Sequence, residues 1–285
     1  MRHPKELYMS SKHQEDLFVK DVPKDAAYFQ HEFGGVCSLE GRILYNKAHD
    51  APWVLSVHGA RTDSTKSDAV NLGLQRLGYS VLGMNLSGHS AAGVLKPEET
   101  TLQNNIDEVE TFFEYLDSGR KKIVFAFSLG GTPALKLLEK HADEIDKLVL
   151  FYPGIYAKDA YTKHFGHEFK AAITKPYSYR ENDTIDLLKA FSGKLLLILG
   201  EYDGLDPVRY GKPAGGSAGD VIVDGVSYYS PIPKEVIDMV YEALPAGQKD
   251  KIIIPRCGHS VVMWMRDHPV QARELLDKID LFLQS

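Results

Sequence analysis

From Trp53 onward the chain alternates short, nearly continuous apolar runs with segments whose apolar residues recur every three or four positions. With two earlier runs, these predict strands over Tyr28–Phe33, Arg42–Asn46, Trp53–His58, Ser80–Leu86, Lys122–Phe127, Lys147–Tyr152, Lys194–Gly200 and Lys251–Pro255. A strand covered on both faces has no polar side to alternate with, so unbroken apolar character marks a buried parallel sheet. The periodic segments predict helices over Ser67–Leu77, Thr101–Leu116, Leu129–Lys140, Pro233–Leu244 and Val270–Leu283. In the second of these, Leu102, Ile106, Val109, Phe113 and Leu116 recur at helical spacing. Strands alternating with helices give right-handed βαβ units and a mainly parallel sheet. No helix separates the first two strands. Gly34-Gly35 and Glu40-Gly41 supply turn signals there, which predicts an antiparallel hairpin at the sheet edge.

Three stretches fall outside the alternation. Residues 1–27 are polar and aperiodic and read as an arm ahead of one domain spanning 28–285. Residues 154–193 are dense in aromatics and histidine, and about 211–230 is a glycine-rich loop. Long insertions in compact domains commonly serve as lids or binding loops, so 154–193 is read as a short lid.

Four strand ends carry candidate chemistry. At Ala126-Phe127-Ser128-Leu129-Gly130 an apolar strand runs directly into a helix. Small residues two before and two after a serine suit a sharp strand-to-helix turn that exposes its hydroxyl as a nucleophile. Gly215-Gly216-Ser217-Ala218-Gly219 matches the literal G-x-S-x-G pattern better, but it follows no strand and opens no helix. Context therefore selects Ser128.

The strand at Trp53 ends in His58-Gly59-Ala60-Arg61. Acyl transfer needs two N–H donors at the developing alkoxide, and the backbone N–H groups of Leu129 and Ala60 are assigned to them. His58 reads as a brace for this loop, and Arg61 as a solvated loop arginine, with contact to a substrate anion as the alternative. The strand at Lys194 ends in Gly-x-x-Asp, giving Asp203 as the acid that orients a histidine, with Asp206 as its competitor. The last strand leads into Cys257-Gly258-His259, the candidate general base. Nucleophile, acid and base thus follow one another in the chain order Ser, Asp, His.

With these motifs, and with Gly78–Ser90 turning at a Gly-His pair, the chain resembles the α/β-hydrolase fold family from about residue 28 to its end. Asn85 stands where many members carry aspartate, and Ala126 where the elbow usually has glycine; both positions chiefly serve packing and turn geometry. The resemblance implies a three-layer α/β/α fold around a mostly parallel eight-stranded sheet. It also implies a serine hydrolase that cleaves a small to medium ester through an acyl-enzyme, without metal or organic cofactor. The same fold hosts acyltransferases and thioesterases, and a ligand-sensing module could retain the pocket, so these stay open as alternatives.

Composition narrows the partners. The 285 residues carry a net charge of −6, which disfavours a surface built to track nucleic acid. No apolar run approaches the ~20 residues of a membrane-spanning helix, and the N-terminus lacks the apolar core of a secretion signal. Two cysteines, Cys37 and Cys257, make neither a disulfide framework nor a paired metal spacing. His164-Phe165-Gly166-His167-Glu168 reads H-x-x-H-E, which departs from the H-x-x-E-H metal order. A cytoplasmic enzyme acting on a small-molecule ester or acyl substrate is the expectation.

Overall fold

The computed structural model describes residues 25–33, 37–47, 51–89, 95–116, 119–204 and 219–285. The strands, β1 to β10 in chain order, are Ala26–Phe33, Cys37–Leu44, Trp53–Val57, Ser80–Met84, Lys122–Phe127, Ile145–Phe151, Lys194–Gly200, Asp220–Val223, Val226–Tyr229 and Lys249–Ile254. The helices, α1 to α9, are Asp68–Arg76, Leu102–Phe113, Gly131–Lys136, Leu138–His141, His167–Ile173, Thr184–Ala190, Lys234–Glu242, Val261–Asp267 and Pro269–Gln284.

Eight strands form one sheet in the order β1-β2-β4-β3-β5-β6-β7-β10. It is parallel from β4 through β10, and β1 and β2 add an antiparallel edge. Every residue of β4 and β5 is buried, as their unbroken apolar runs require. Helices α1, α8 and α9 pack together on one face, while α2, α3, α6 and α7 make a second chain of contacts. Between these layers lies a single large core that includes Val54, Leu82, Val124, Phe125, Leu148 and Leu197. Burying each such side chain contributes about 1.5–3 kcal/mol. The result is the three-layer architecture expected from the alternation of patterns.

Several local expectations need correction. Glu40 and Gly41 do not turn the chain; they pair with Gln30 and Phe29 inside the β1–β2 ladder. The helix expected over Leu129–Lys140 opens with a 3-10 turn at Ser128–Gly130 and divides into α3 and α4. Residues 154–193, the expected lid, hold α5 and α6. The glycine-rich loop carries the antiparallel pair β8–β9, with Val223 opposite Val226 across Asp224-Gly225. A further helix, α8, follows directly on the loop of His259. Most of the N-terminal arm, Asp206 and Ser217 lie outside the described residues. Among the described residues no helix is long and apolar enough to cross a membrane.

Candidate active site

The carboxyl ends of β3, β5, β7 and β10 bring the candidate residues together. β5 ends at Phe127, and Ser128 follows with φ 50°. A left-handed backbone costs a side-chain-bearing residue roughly 1–2 kcal/mol, and here it turns the chain sharply into α3. The turn admits no bulk on its far side. A methyl group added to Gly130 would lie 2.6 Å from the carbonyl oxygens of both Val57 and His58. Arg61, Tyr152 and Arg256, just past the ends of β3, β6 and β10, share the positive φ. Strain of this kind persists only where surrounding structure over-determines it, and it clusters at functional sites.

The loop after β3 lies against this turn. Gly59 is close enough that a methyl group there would stand 3.1 Å from the Ser128 Cβ. His58 is buried and holds the loop in shape: its Nδ1–H donates to the Gly59 carbonyl at 2.7 Å, and its Nε2 accepts from the Leu86 N–H at 2.9 Å. Burial pushes its pKa down, so the imidazole is neutral and serves as a brace. Ala60 and Arg61 come next, both exposed at the rim.

Behind this loop sits a buried polar cluster. Glu108 of α2 accepts from the Ser87 N–H at 3.0 Å, from the Ser87 hydroxyl, and from Asn105 Nδ2 at 3.1 Å. Asn105 Oδ1 meets His89 Nε2 at 2.8 Å. Burial pushes the Glu108 pKa up to about 7 against the pull of those bonds.

Leu129 belongs to a different packing unit. Its side chain is buried in a small cluster with Leu102, Ile106, Tyr161, Phe165 and Phe169, separate from the main core. Residues 161–165 are tied to the start of α2 by the Gln103 N–H to the Tyr161 carbonyl and the Phe165 N–H to the Thr100 carbonyl, each 2.9 Å.

The candidate acid and base sit on the loops after β7 and β10. Asp203 has no exposed side-chain surface, and its Oδ2 accepts from His259 Nδ1 at 2.6 Å. Its Oδ1 accepts from the backbone N–H of Gly204 at 3.1 Å and of Ile232 at 3.3 Å. His259 Nε2 lies 2.8 Å from Ser128 Oγ. With Nδ1 donating to a carboxylate, Nε2 is left to accept the serine proton.

The imidazole is held from three directions. Tyr152 packs against its ring at 4.5 Å, Tyr229 meets it edge-on at 5.7 Å, and the His259 N–H donates to the Tyr229 carbonyl at 2.9 Å. The two loops also touch directly, since a methyl group on Gly200 would fall 2.0 Å from the Gly258 carbonyl oxygen. Tyr152, Tyr229 and Ile232 were not singled out from the sequence as parts of this site. The apolar residues flanking Asp224-Gly225 are a hairpin signal that could have pointed to Tyr229.

Cys257 is buried, and burial with the nearby Asp203 charge pushes its thiol up to about 12. It is therefore a protonated structural residue. Among the described residues no group of three or more His, Cys, Asp or Glu is gathered as for a metal ion. The arrangement of Ser128, His259 and Asp203 suits proton removal from a serine hydroxyl during attack on a carbonyl carbon.

The model of the family described as serine aminopeptidase, S33, matches residues 48–183, a span that holds Ser128 and stops before Asp203 and His259. No curated protein matches the chain. Among solved structures it is similar to the thioesterase domain from the curacin biosynthetic pathway, with a TM-score of 0.57 at 14% identity over 89% of this chain and 99% of that one. A thermophilic esterase from Thermogutta terrifontis gives 0.57 at 18% identity, over 88% and 97% of the two chains. Alpha/beta hydrolase domain-containing protein 10 from mouse gives 0.60 at 14% identity, over 90% and 98%. Identities this low carry the fold and leave the substrate open. The sheet order, the helical layers and these likenesses agree, and the chain has the α/β-hydrolase fold.

Proposed function

We propose that the protein is a serine hydrolase that cleaves a carboxylic ester of modest size through an acyl-enzyme. The observation that carries this reading is the unbroken relay from Ser128 Oγ to His259 Nε2 at 2.8 Å and from His259 Nδ1 to Asp203 at 2.6 Å. His259 takes the Ser128 proton as the hydroxyl attacks the carbonyl carbon. The Leu129 and Ala60 N–H groups receive the oxyanion, and Asp203 stabilises the imidazolium. His259 then returns the proton to the leaving oxygen, and water resolves the acyl-enzyme by the same route. Arg61, exposed beside Ala60, is placed to meet an anionic group at the cleft rim. Residues 154–193 act as the lid over the acyl side, contributing Phe165 and Phe169 to the cluster that holds Leu129.

The test is labelling of the folded protein with a fluorophosphonate, followed by mass mapping, with Ser128→Ala as control. Modification at Ser128 and hydrolysis of p-nitrophenyl esters are expected. An unlabelled, folded protein would remove Ser128 from the mechanism. The family model's description favours a second acyl class, amides of N-terminal residues. Aminoacyl p-nitroanilides tested beside the esters decide between the two.

A further inference from the structure

The loop that leaves β4 is bonded on one side to α2 and on the other to the loop that carries Ala60. On the α2 side, Asn105 and Glu108 stand three residues apart and so share a helix face. Between them they take up every polar group of Ser87. Glu108 accepts from its N–H at 3.0 Å and from its hydroxyl, and Asn105 Nδ2 donates to its carbonyl at 3.2 Å. Asn105 Nδ2 also donates to Glu108 at 3.1 Å, so the two helix side chains brace each other. A buried carboxyl group is costly unless its oxygens are bonded. Here both are engaged, Oε1 by the Ser87 hydroxyl and Oε2 by the two N–H donors.

On the other side, Leu86 donates its N–H to His58 Nε2 at 2.9 Å. A donor at that position obliges Nε2 to accept, which leaves the imidazole proton on Nδ1. Nδ1–H in turn donates to the Gly59 carbonyl at 2.7 Å. That carbonyl and the Ala60 N–H are the two ends of one planar peptide unit. Fixing the carbonyl therefore fixes the direction of the N–H. Glu108, Ser87, Leu86, His58 and Gly59 are all buried, where hydrogen bonds are stronger than in water. The same loop also reaches the other donor. His89, bonded to Asn105 Oδ1 at 2.8 Å, packs its ring 4.6 Å from that of Phe165, a member of the cluster that seats Leu129.

Resting on the acyl-enzyme reading above, we propose that Glu108 is a positioning residue for the oxyanion site: acting through Ser87, Leu86 and His58, it sets the aim of the Ala60 N–H. Its own partners are Ser87 and Asn105, so it acts at a distance from the reacting atoms. Its contribution therefore appears where negative charge develops on the reacting oxygen, and not in the binding of an uncharged ligand.

The experiment compares two ligands of one chain length, an alkyl trifluoromethyl ketone and the matching methyl ketone. Ser128 Oγ adds to the carbonyl carbon of the first while its proton passes to His259, which places an oxyanion in the site. The second fills the site without forming a stable adduct. In Glu108→Ala, kcat/KM for p-nitrophenyl butanoate and affinity for the trifluoromethyl ketone are both expected to fall about ten- to a hundredfold, short of deleting a donor outright. Affinity for the methyl ketone is expected to stay within about twofold. Glu108→Gln, whose amide still accepts from the Ser87 N–H and donates to its hydroxyl, is expected to recover most of the rate. In a His58→Ala background, Glu108→Ala is expected to add less than about a twofold further loss, because the two residues act along one route. Should Glu108→Ala fail to fold, Glu108→Asp, which withdraws the carboxylate by one methylene, is read in the same way.

A folded variant with an undiminished rate overturns the proposal. So does an equal loss of affinity for both ketones, the mark of a collapsed site. A Glu108→Gln protein as slow as Glu108→Ala, or a full second loss in the His58→Ala background, overturns it too. Fluorophosphonate labelling of the wild-type protein separates the two levels. A protein labelled at Ser128 but indifferent to Glu108 loses only the positioning role, whereas an unlabelled one loses the acyl-enzyme reading and this proposal with it.

Discussion

Ser128 follows a strand of six buried residues, and the carbonyls of Val57 and His58 close against Gly130 just behind it. Asp203 and His259 sit instead on loops past β7 and β10, where backbone groups of Tyr229 and Ile232, on the chain leaving the β8–β9 hairpin, hold both. Packing fixes the Ser128 half of the site, and hydrogen bonds fix the Asp203–His259 half. The first half is intolerant of added volume. The second is intolerant of displacement, because a proton relay depends on alignment to within a fraction of an ångström.

The largest expected effects fall on the relay itself. Ser128→Ala is expected to lower ester turnover by at least about 10⁴-fold, and Asp203→Asn by about 10⁴-fold through the wrong imidazole tautomer. Steady-state kinetics beside a thermal melt checks both, and a variant that keeps its activity would take that residue out of the relay. Gly200→Ala breaks the comparison at its joint, since the added methyl pushes the Gly258 carbonyl and with it the His259 loop. A rate loss of about 10²-fold with a stability loss of about 1–3 kcal/mol is expected. Retained activity would show that the Asp203–His259 half absorbs bulk after all.

Glu108 sharpens the comparison from the packed side. Its folded pKa is raised from 4.5 to about 7, so the native state holds this proton more tightly than the unfolded chain does. The stabilisation is fully present below about pH 4.5 and is lost as pH rises towards 7, a change of about 2–3 kcal/mol. His89, with its pKa lowered to about 4 by burial and by His58, works in the opposite direction as pH falls. Denaturant melts of wild type and Glu108→Gln across pH 4.5–7.5 isolate the carboxyl: the gap between the two curves should change over this window, and a constant gap would count against the raised pKa. The smallest effect is expected at Cys257. Its protonated, buried thiol should resist iodoacetamide at pH 8 in the native protein, with less than about a twofold loss of activity. Rapid alkylation with inactivation would show that the His259 loop opens.

Much of this arrangement was legible in the sequence because it rests on strand ends. Lys122–Phe127 and Lys194–Gly200 were bounded to the residue, since a doubly covered strand is apolar throughout and polar or glycine residues stop it. Context likewise selects Ser128 over Ser217, which lies outside the described residues. Asp203, the candidate nearer the strand end, meets His259, and Asp206 lies outside the described residues. Other features were hidden by their brevity. β8 and β9 have four residues each and lie beside a run of glycines, so composition hid a hairpin that Asp224-Gly225 announces. α8 is seven residues long and too short to display a helical period. The break between α3 and α4 comes from tertiary packing, which a local pattern does not contain. The partners of His259 are absent from any motif for the same reason: Tyr152 and Tyr229 reach it from separate parts of the chain.

Leu129 presents its N–H beside Ser128 while its side chain is packed with Tyr161, Phe165 and Phe169, outside the main core. For anyone building chimeras, the segment around 156–173 is therefore not an interchangeable cover. Grafting the corresponding piece of a protein with the same fold would remake the cavity that seats Leu129 and, through it, the aim of the N–H proposed above as an oxyanion donor. A successful graft has to carry a matching residue at 129, so the two positions would be optimised in the laboratory as a linked pair, screened together in one library.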